Sequence, residues 1–121
     1  LQVQGDRRAG KSLTAYLAWQ LEWGASEKFF KLVKEDTGVP HPADIGRPGL
    51  RNDCIKYLDA FRYLGSSRLW SEAGPQPIQV SEVEAYLNIA GIEVPYMKLK
   101  YLFLIQQLDR VEMKHIARQQ K

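Results

Sequence analysis

The feature that most constrains the fold is a long apolar repeat near the C-terminus. Seven residues fall at alternating spacings of three and four, namely Val94, Met97, Tyr101, Leu104, Leu108, Val111 and His115. Such spacing places side chains on one face of an α-helix. Three further residues, Leu99, Leu102 and Phe103, add a second apolar face. Because a helix that is apolar on several sides is typical of a bundle centre, we predict a core helix over about residues 95–119, with a self-association seam as the alternative.

The rest of the chain also favours helix. Val, Ile and Thr account for only 16 of 121 residues, whereas Leu alone supplies 14, and this composition disfavours strands. Apolar spacing predicts four further helices, over about residues 11–23, 26–36, 50–70 and 81–90, with residues 65–67 (GSS) as the alternative end, or a kink, of the third. The fourth is expected to begin at a capping box of Ser81 and Glu84 and to end at Gly91.

Two segments interrupt the helical pattern. Residues 37–49 (TGVPHPADIGRPG) contain three Gly and three Pro, and a regular helix cannot run through them because proline fixes φ and lacks an N–H donor. Residues 71–79 form a second predicted loop. We therefore predict an all-α, single-domain bundle of about five helices over residues 1–121. Residues 1–10 would be a loose arm, 11–36 a helical hairpin and 50–121 the main core.

Several residue types disfavour an enzyme, a metal site or a membrane protein. Cys54, the one cysteine, lies in a helical apolar pattern and is interpreted as a core residue in a reducing compartment. His41 and His115 are far apart in sequence, with no acidic residue beside either to orient it. No apolar run is long enough to span a bilayer, and no secretory leader opens the chain. We expect no catalytic residues, no metal, no cofactor and no membrane partner.

Aromatic and charged side chains receive structural interpretations. The three tryptophans, Trp19, Trp23 and Trp70, are expected in the core. Asp109 and Glu112 are interpreted as part of a charged helix surface. The net charge is +3, and its one concentration is the tail, with Arg110, Lys114, Arg118 and Lys121. Because cations near a helix C-terminus complement the helix dipole, nucleic acid is a disfavoured partner.

Residues 5–12 (GDRRAGKS) match the P-loop pattern G-x-x-x-x-G-K-S. In a P-loop, Gly5 and Gly10 would let the backbone wrap phosphates, Lys11 would neutralise them and Ser12 would hold magnesium. The context argues against this function, because no series of strands follows and no carboxylate lies at a strand end. The other interpretation is an exposed basic segment before the first helix, which Gly10 separates from that helix.

The second half of the chain carries an ordered set of apolar helices and polar markers. These are residues 57–64 (YLDAFRYL), Arg68, residues 77–86 (PIQVSEVEAY), Gly91-Ile92, residues 105–109 (IQQLD) and Met113. Over roughly residues 50–115 this order resembles the tail assembly chaperones of long-tailed bacteriophages. The resemblance implies a helical, non-enzymatic protein that binds the tape-measure protein in the cytoplasm of the host bacterium. It would keep that long apolar helix soluble while tail-tube subunits assemble, with the tail-tube protein as a further partner. A second copy of the chain is the partner that the alternative self-association seam would bind.

A chaperone of this kind would hold its partner helix in an apolar groove. The candidate partner-binding residues are Tyr57, Phe61, Tyr101, Leu104 and Leu108. Core burial is the alternative for each of them. Two other functions stay open: nucleotide binding through residues 5–12, and a small head–tail or DNA-packaging protein whose Arg110, Lys114 and Arg118 contact phosphate.

Overall fold

The computed structural model describes residues 3–119. The helices in this range are α1 (Val3–Trp23), α2 (Glu27–Thr37), α3 (Pro42–Ile45), α4 (Ile55–Ser66), α5 (Val80–Ile89) and α6 (Pro95–Gln119). Two short strands, β1 (Trp70–Ser71) and β2 (Gly74–Pro75), form an antiparallel hairpin between α4 and α5. The all-α fold class with five main helices is therefore confirmed. None of the described helices is both long and apolar enough to cross a bilayer.

The long helix α6 has the bounds expected from its apolar repeat and packs against α1, α4 and α5. Leu104, Ile105 and Leu108 on this helix are fully buried. The second apolar face behaves differently, because Leu99 and Phe103 are exposed to solvent. Three neighbouring helices thus cover one broad side of α6, and the remaining apolar side chains contribute to the protein surface.

Helix α1 begins at Val3, eight residues before the predicted start. Residues 3–10 of the expected arm are therefore helical, and residues 1 and 2 lie outside the described range. Gly10 does not break the helix; it faces α6 so closely that a Cβ atom would lie 2.3 Å from Oε1 of Gln107. Farther along, Leu21 lines a hollow together with His115 of α6. The two helices therefore run parallel, and the amide end of the Gln107 side chain packs over Gly10.

An aromatic cluster joins α1, α2 and the proline-rich loop. Trp19 is buried, its ring centroid lies 6.0 Å from that of Phe30, and its Nε1 donates a hydrogen bond to the Ala43 carbonyl at 2.9 Å. Trp23 is half-buried beside the same phenylalanine. The loop contains α3 but no longer helix, as its prolines predict. Trp70 is 60% exposed on the hairpin, so the expectation of a core position is wrong for this tryptophan.

The segment between α4 and α5 contains a hairpin that the sequence did not predict. Helix α4 ends at Ser66, at the alternative GSS end rather than near residue 70, and the hairpin takes up part of the predicted loop. Helix α5 begins at Val80, so Ser81 lies within its first turn and the predicted capping box is wrong. Its end is as predicted: Gly91 has a φ of 78°, and the Ile92 N–H donates to the Leu87 carbonyl at 2.9 Å.

Candidate interaction surface

The five predicted partner-binding residues lie in the core. None of Tyr57, Phe61, Tyr101, Leu104 and Leu108 is more than 5% exposed. The rings of Tyr57 and Tyr101 meet edge to face with centroids 4.7 Å apart, and burial raises the pKa of Tyr101. These residues hold α4 and α1 to α6. In this conformation they are not a docking surface, and the core alternative describes them correctly.

The P-loop residues lie within α1. Inside a helix, main-chain N–H groups bond to carbonyls one turn earlier, so those of Gly10, Lys11 and Ser12 are not free to wrap a phosphate. A P-loop follows a strand, but residues 3 and 4, directly before the motif, are helical as well. Gly5 shares this helix, Lys11 is exposed and Ser12 is half-buried. The described part of the chain therefore lacks the geometry of a P-loop.

The remaining reactive side chains have structural surroundings. Cys54 is fully buried, and its burial, together with the charge of Asp53, raises the pKa of the thiol. The Nδ1 atom of His41 accepts a hydrogen bond from the Ala43 N–H at 3.0 Å, and its ring packs in the aromatic cluster. His115 is half-buried on α6. The described residues contain no group of three or more His, Cys, Asp or Glu side chains that could hold a metal ion.

An exposed apolar groove runs between α4 and α5. This α4–α5 groove has a volume of about 520 Å³. Its walls are formed by Tyr63, Leu64, Ser67, Glu82, Ala85, Tyr86, Ile89 and Ala90. Ile89 is 88% exposed and Tyr63 is 66% exposed, and the Tyr63 and Tyr86 rings lie with centroids 5.4 Å apart. The groove thus combines aromatic and aliphatic surface with one carboxylate and no cation.

A smaller apolar hollow lies on the other side of α5, against α6. It has a volume of about 160 Å³ and is lined by Val80, Val83, Glu84, Leu87, Lys98, Leu99 and Leu102. Val80 is 55% exposed and Leu99 is 66% exposed. Helix α5 therefore carries apolar surface on both flanks, although its Val83 and Leu87 are used in the core.

A buried polar network fixes the hairpin and the loop after it onto α6. The Arg68 guanidinium pairs with Asp109 and lies 2.7 Å from the Glu112 carboxylate; it also donates to the Gln76 carbonyl at 2.8 Å. Asp109 also accepts from the Ile78 N–H at 3.0 Å. Burial alone would lower the pKa of Arg68, but the hydrogen bonds to the two carboxylates outweigh it and the pKa is raised. The interpretation of Asp109 as a surface charge is wrong, because the residue is only 6% exposed and bonds to groups 31 and 41 residues away.

The exposed groove residues have a signal in the sequence, which is their position outside the apolar stripes. Tyr63 and Ile89 are large apolar residues that fall outside the apolar stripes of their own helices. Side chains off the stripe point away from the core and, when large and apolar, contribute exposed surface. Apolar residues outside the stripe, rather than those within it, indicate where a partner could bind.

Comparisons of the chain with models of protein families, with curated proteins and with solved structures find no match. Its function is therefore inferred from the residues and surfaces described above.

Proposed function

We propose that this protein is a non-enzymatic interaction module that holds an apolar helix of a partner protein in the α4–α5 groove. The observation that carries the proposal is the exposure of Ile89 and Tyr63 on the rim of an apolar depression of about 520 Å³. Fully burying one such side chain contributes about 1.5–3 kcal/mol. Large apolar side chains that are exposed together, rather than scattered singly, mark a candidate protein interaction site.

The shape and chemistry of the groove favour a helical partner. Two helices form its walls, as in complexes where an amphipathic helix lays its apolar face between helices of the receptor. Tyr63 and Tyr86 supply the aromatic contacts that commonly dominate binding energy at interfaces. Glu82 at the edge would favour a partner helix with a cation beside its apolar face.

The resemblance over residues 50–115 supports a specific partner. A tail assembly chaperone of a long-tailed bacteriophage would bind the tape-measure protein in the host cytoplasm, before tail-tube subunits cover it. The docking residues of this proposal differ from the five candidates that the apolar helical patterns suggested, which are Tyr57, Phe61, Tyr101, Leu104 and Leu108. Those five form the core, whereas the groove lies on the outer side of the same α4 and on α5.

The proposal is tested by co-expressing the chain with the long helical protein encoded beside it, with an affinity tag on that partner only. Ile89→Asp should abolish co-purification, because it places a charge in the groove. Ile45→Asp is the matched control: Ile45 is 67% exposed on α3, outside the groove. Since both isoleucines are mostly exposed, both variants should fold, which circular dichroism and thermal melting would verify.

Recovery of a soluble complex with the unmodified chain and with Ile45→Asp, but not with Ile89→Asp, would support the proposal. Equal recovery with the two variants would show that the groove is not the binding site. A partner that stays insoluble or elutes alone with the unmodified chain would remove the case for a chaperone of the tape-measure protein.

A further inference from the structure

The fold brings together basic residues that are about a hundred positions apart in the sequence. Arg7 and Lys11 of α1 line a groove of about 400 Å³ together with Arg110 of α6. The other residues of this groove are Gly10, Thr14, Gln107 and Val111. No acidic side chain and no aromatic ring lies among them. Three cations therefore converge on one concave surface, although in the sequence they belong to two separate basic segments.

The row of cations continues along α6. Val111 also lines a neighbouring hollow with Lys114, Ala117 and Arg118. Helices α1 and α6 run parallel, and Gly10 lies beside Gln107. Measured along the helix axes from this contact, Arg7 lies about three residues toward the N-terminal end and Arg118 about eleven residues toward the C-terminal end. At about 1.5 Å of rise per residue the row is about 21 Å long. We call this row the cation track, formed by Arg7, Lys11, Arg110, Lys114 and Arg118.

The cation track is not neutralised by the rest of the described structure. All five side chains are exposed, and none forms an ion pair with another described side chain. Glu112, which lies on the same helix, is already paired with Arg68 at 2.7 Å. Glu22 lies in a separate hollow beside Arg118, at one end of the track. The helix dipole accounts for a cation in the last turn of α6, but not for Arg7 and Lys11 in the first half of α1.

We propose that the cation track binds the phosphate backbone of duplex DNA without reading its sequence. A row of exposed, unpaired cations about 21 Å long fits the row of phosphates along a duplex, which carries one charge per ~1.7 Å of axis. Proteins that hold single strands combine cations with aromatic rings on which bases stack, and the residues lining the track include no such ring. This activity is separate from the α4–α5 groove, which shares no residue with the track.

The experiment is a titration of the full chain against a fluorescently labelled 20-base-pair duplex, followed by anisotropy at several salt concentrations between about 50 and 200 mM. Each neutralised phosphate contributes about −0.9 to the slope of log K against log salt, so five contacts predict a slope near −4.5. The variant Lys11→Glu/Arg110→Glu should weaken binding at least tenfold at low salt and make the slope shallower by about 1.8. The matched control, Lys28→Glu/Lys31→Glu, makes the same change in net charge on exposed residues of α2.

Binding that is lost in the track variant and kept in the α2 control would support the proposal, with circular dichroism verifying that both fold. Equal losses in the two variants would overturn it, because net charge rather than the track would then set the affinity. Absence of binding by the unmodified chain at about 100 µM, the weak end of non-specific DNA affinities, would also overturn it. So would tighter binding of single-stranded (dT)20, or displacement of the duplex by an equal concentration of polyglutamate. The variant Ile89→Asp should bind DNA normally whether or not the α4–α5 groove holds a partner.

Discussion

The buried carboxylate of Asp109 fastens the segment after the hairpin to α6, so Asp109→Ala should strongly destabilise the fold. One carboxylate oxygen accepts from Arg68 and the other from the Ile78 N–H at 3.0 Å. The side chains of Arg68 and Asp109 are only 3% and 9% exposed, so water cannot readily replace the lost partner. The alanine variant leaves the Ile78 N–H without its acceptor and leaves Arg68 with a single carboxylate, that of Glu112.

The size of the effect follows from these two losses. Leaving a buried donor unsatisfied costs about 1–3 kcal/mol. Removing one partner of a buried ion pair costs about 3–5 kcal/mol, but Glu112 remains 2.7 Å from the guanidinium and limits this loss. We therefore expect Asp109→Ala to lower the free energy of unfolding by about 3 kcal/mol. Asp109→Asn, which keeps an acceptor for the Ile78 N–H, should lose roughly half as much.

The assay is urea denaturation followed by far-ultraviolet circular dichroism, with the slope and midpoint of each transition fitted separately. Asp53→Ala is the matched control, because Asp53 pairs with Arg51 on the surface with both side chains about half or more exposed. An exposed pair of this kind is screened by water, so the control should unfold with the unmodified protein. The double variant Arg68→Met/Asp109→Leu removes the two buried charges together, although Glu112 and the Ile78 N–H lose their partners, so its loss of stability should be smaller than the sum of the two single losses.

A change of less than about 0.5 kcal/mol in Asp109→Ala, the range of ordinary surface substitutions, would refute this reasoning. It would mean that the network is already hydrated in solution. Additive losses in the double variant would refute the coupling between Arg68 and Asp109 in particular, even if each residue were important separately.

Three further predictions concern backbone conformation, helix packing and the single thiol. Gly91→Ala should destabilise by about 1–2 kcal/mol because φ is 78° there, whereas Gly49→Ala, at a position without positive φ and with open space, should be neutral in the same urea assay. Gly10→Ala must displace the Gln107 side chain, which offsets the usual gain from replacing glycine inside a helix. In a Gln107→Ala background the same substitution should stabilise by about 0.5–1 kcal/mol. A double variant less stable than Gln107→Ala alone would contradict the packing of Gln107 over Gly10. Cys54 should resist a thiol reagent in the native protein and react fully in denaturant, because it is buried and its pKa is raised; rapid native labelling would show that the core opens.

Local sequence patterns predicted the helix boundaries that are set by local signals. The bounds of α6 follow from its apolar repeat and from Pro95 in its first turn, and the end of α5 follows from Gly91. The start of α1 did not follow, because a glycine in a helix is unfavourable in isolation. At Gly10 the side chain of Gln107 packs over the helix, and a contact between residues 10 and 107 leaves no local signal in the sequence.

The polar network explains two of the other differences. Arg68 turns into the core to meet Asp109, which requires the chain to leave the helical path after Ser66. The Ile78 N–H is then held by the same carboxylate, and the backbone at Gln79 is extended, so α5 begins at Val80 before the expected capping box. In the sequence, Asp109 is indistinguishable from an exposed carboxylate on a helix surface. Only the three-dimensional pairing shows that it is buried.

The same network contains several of the residues on which the resemblance to tail assembly chaperones rests. Four of its markers, Arg68, Ile78, Asp109 and Met113, meet at this one place, where Arg68 also lies 3.3 Å from the methionine sulfur. These markers therefore describe how the hairpin and the loop after it are fastened to α6, which is an architectural feature. A variant of the network would reduce partner binding simply by destabilising the fold. Ile89 has no such role, since it is 88% exposed, and so its substitution tests the proposed binding surface without disturbing the fold that carries it.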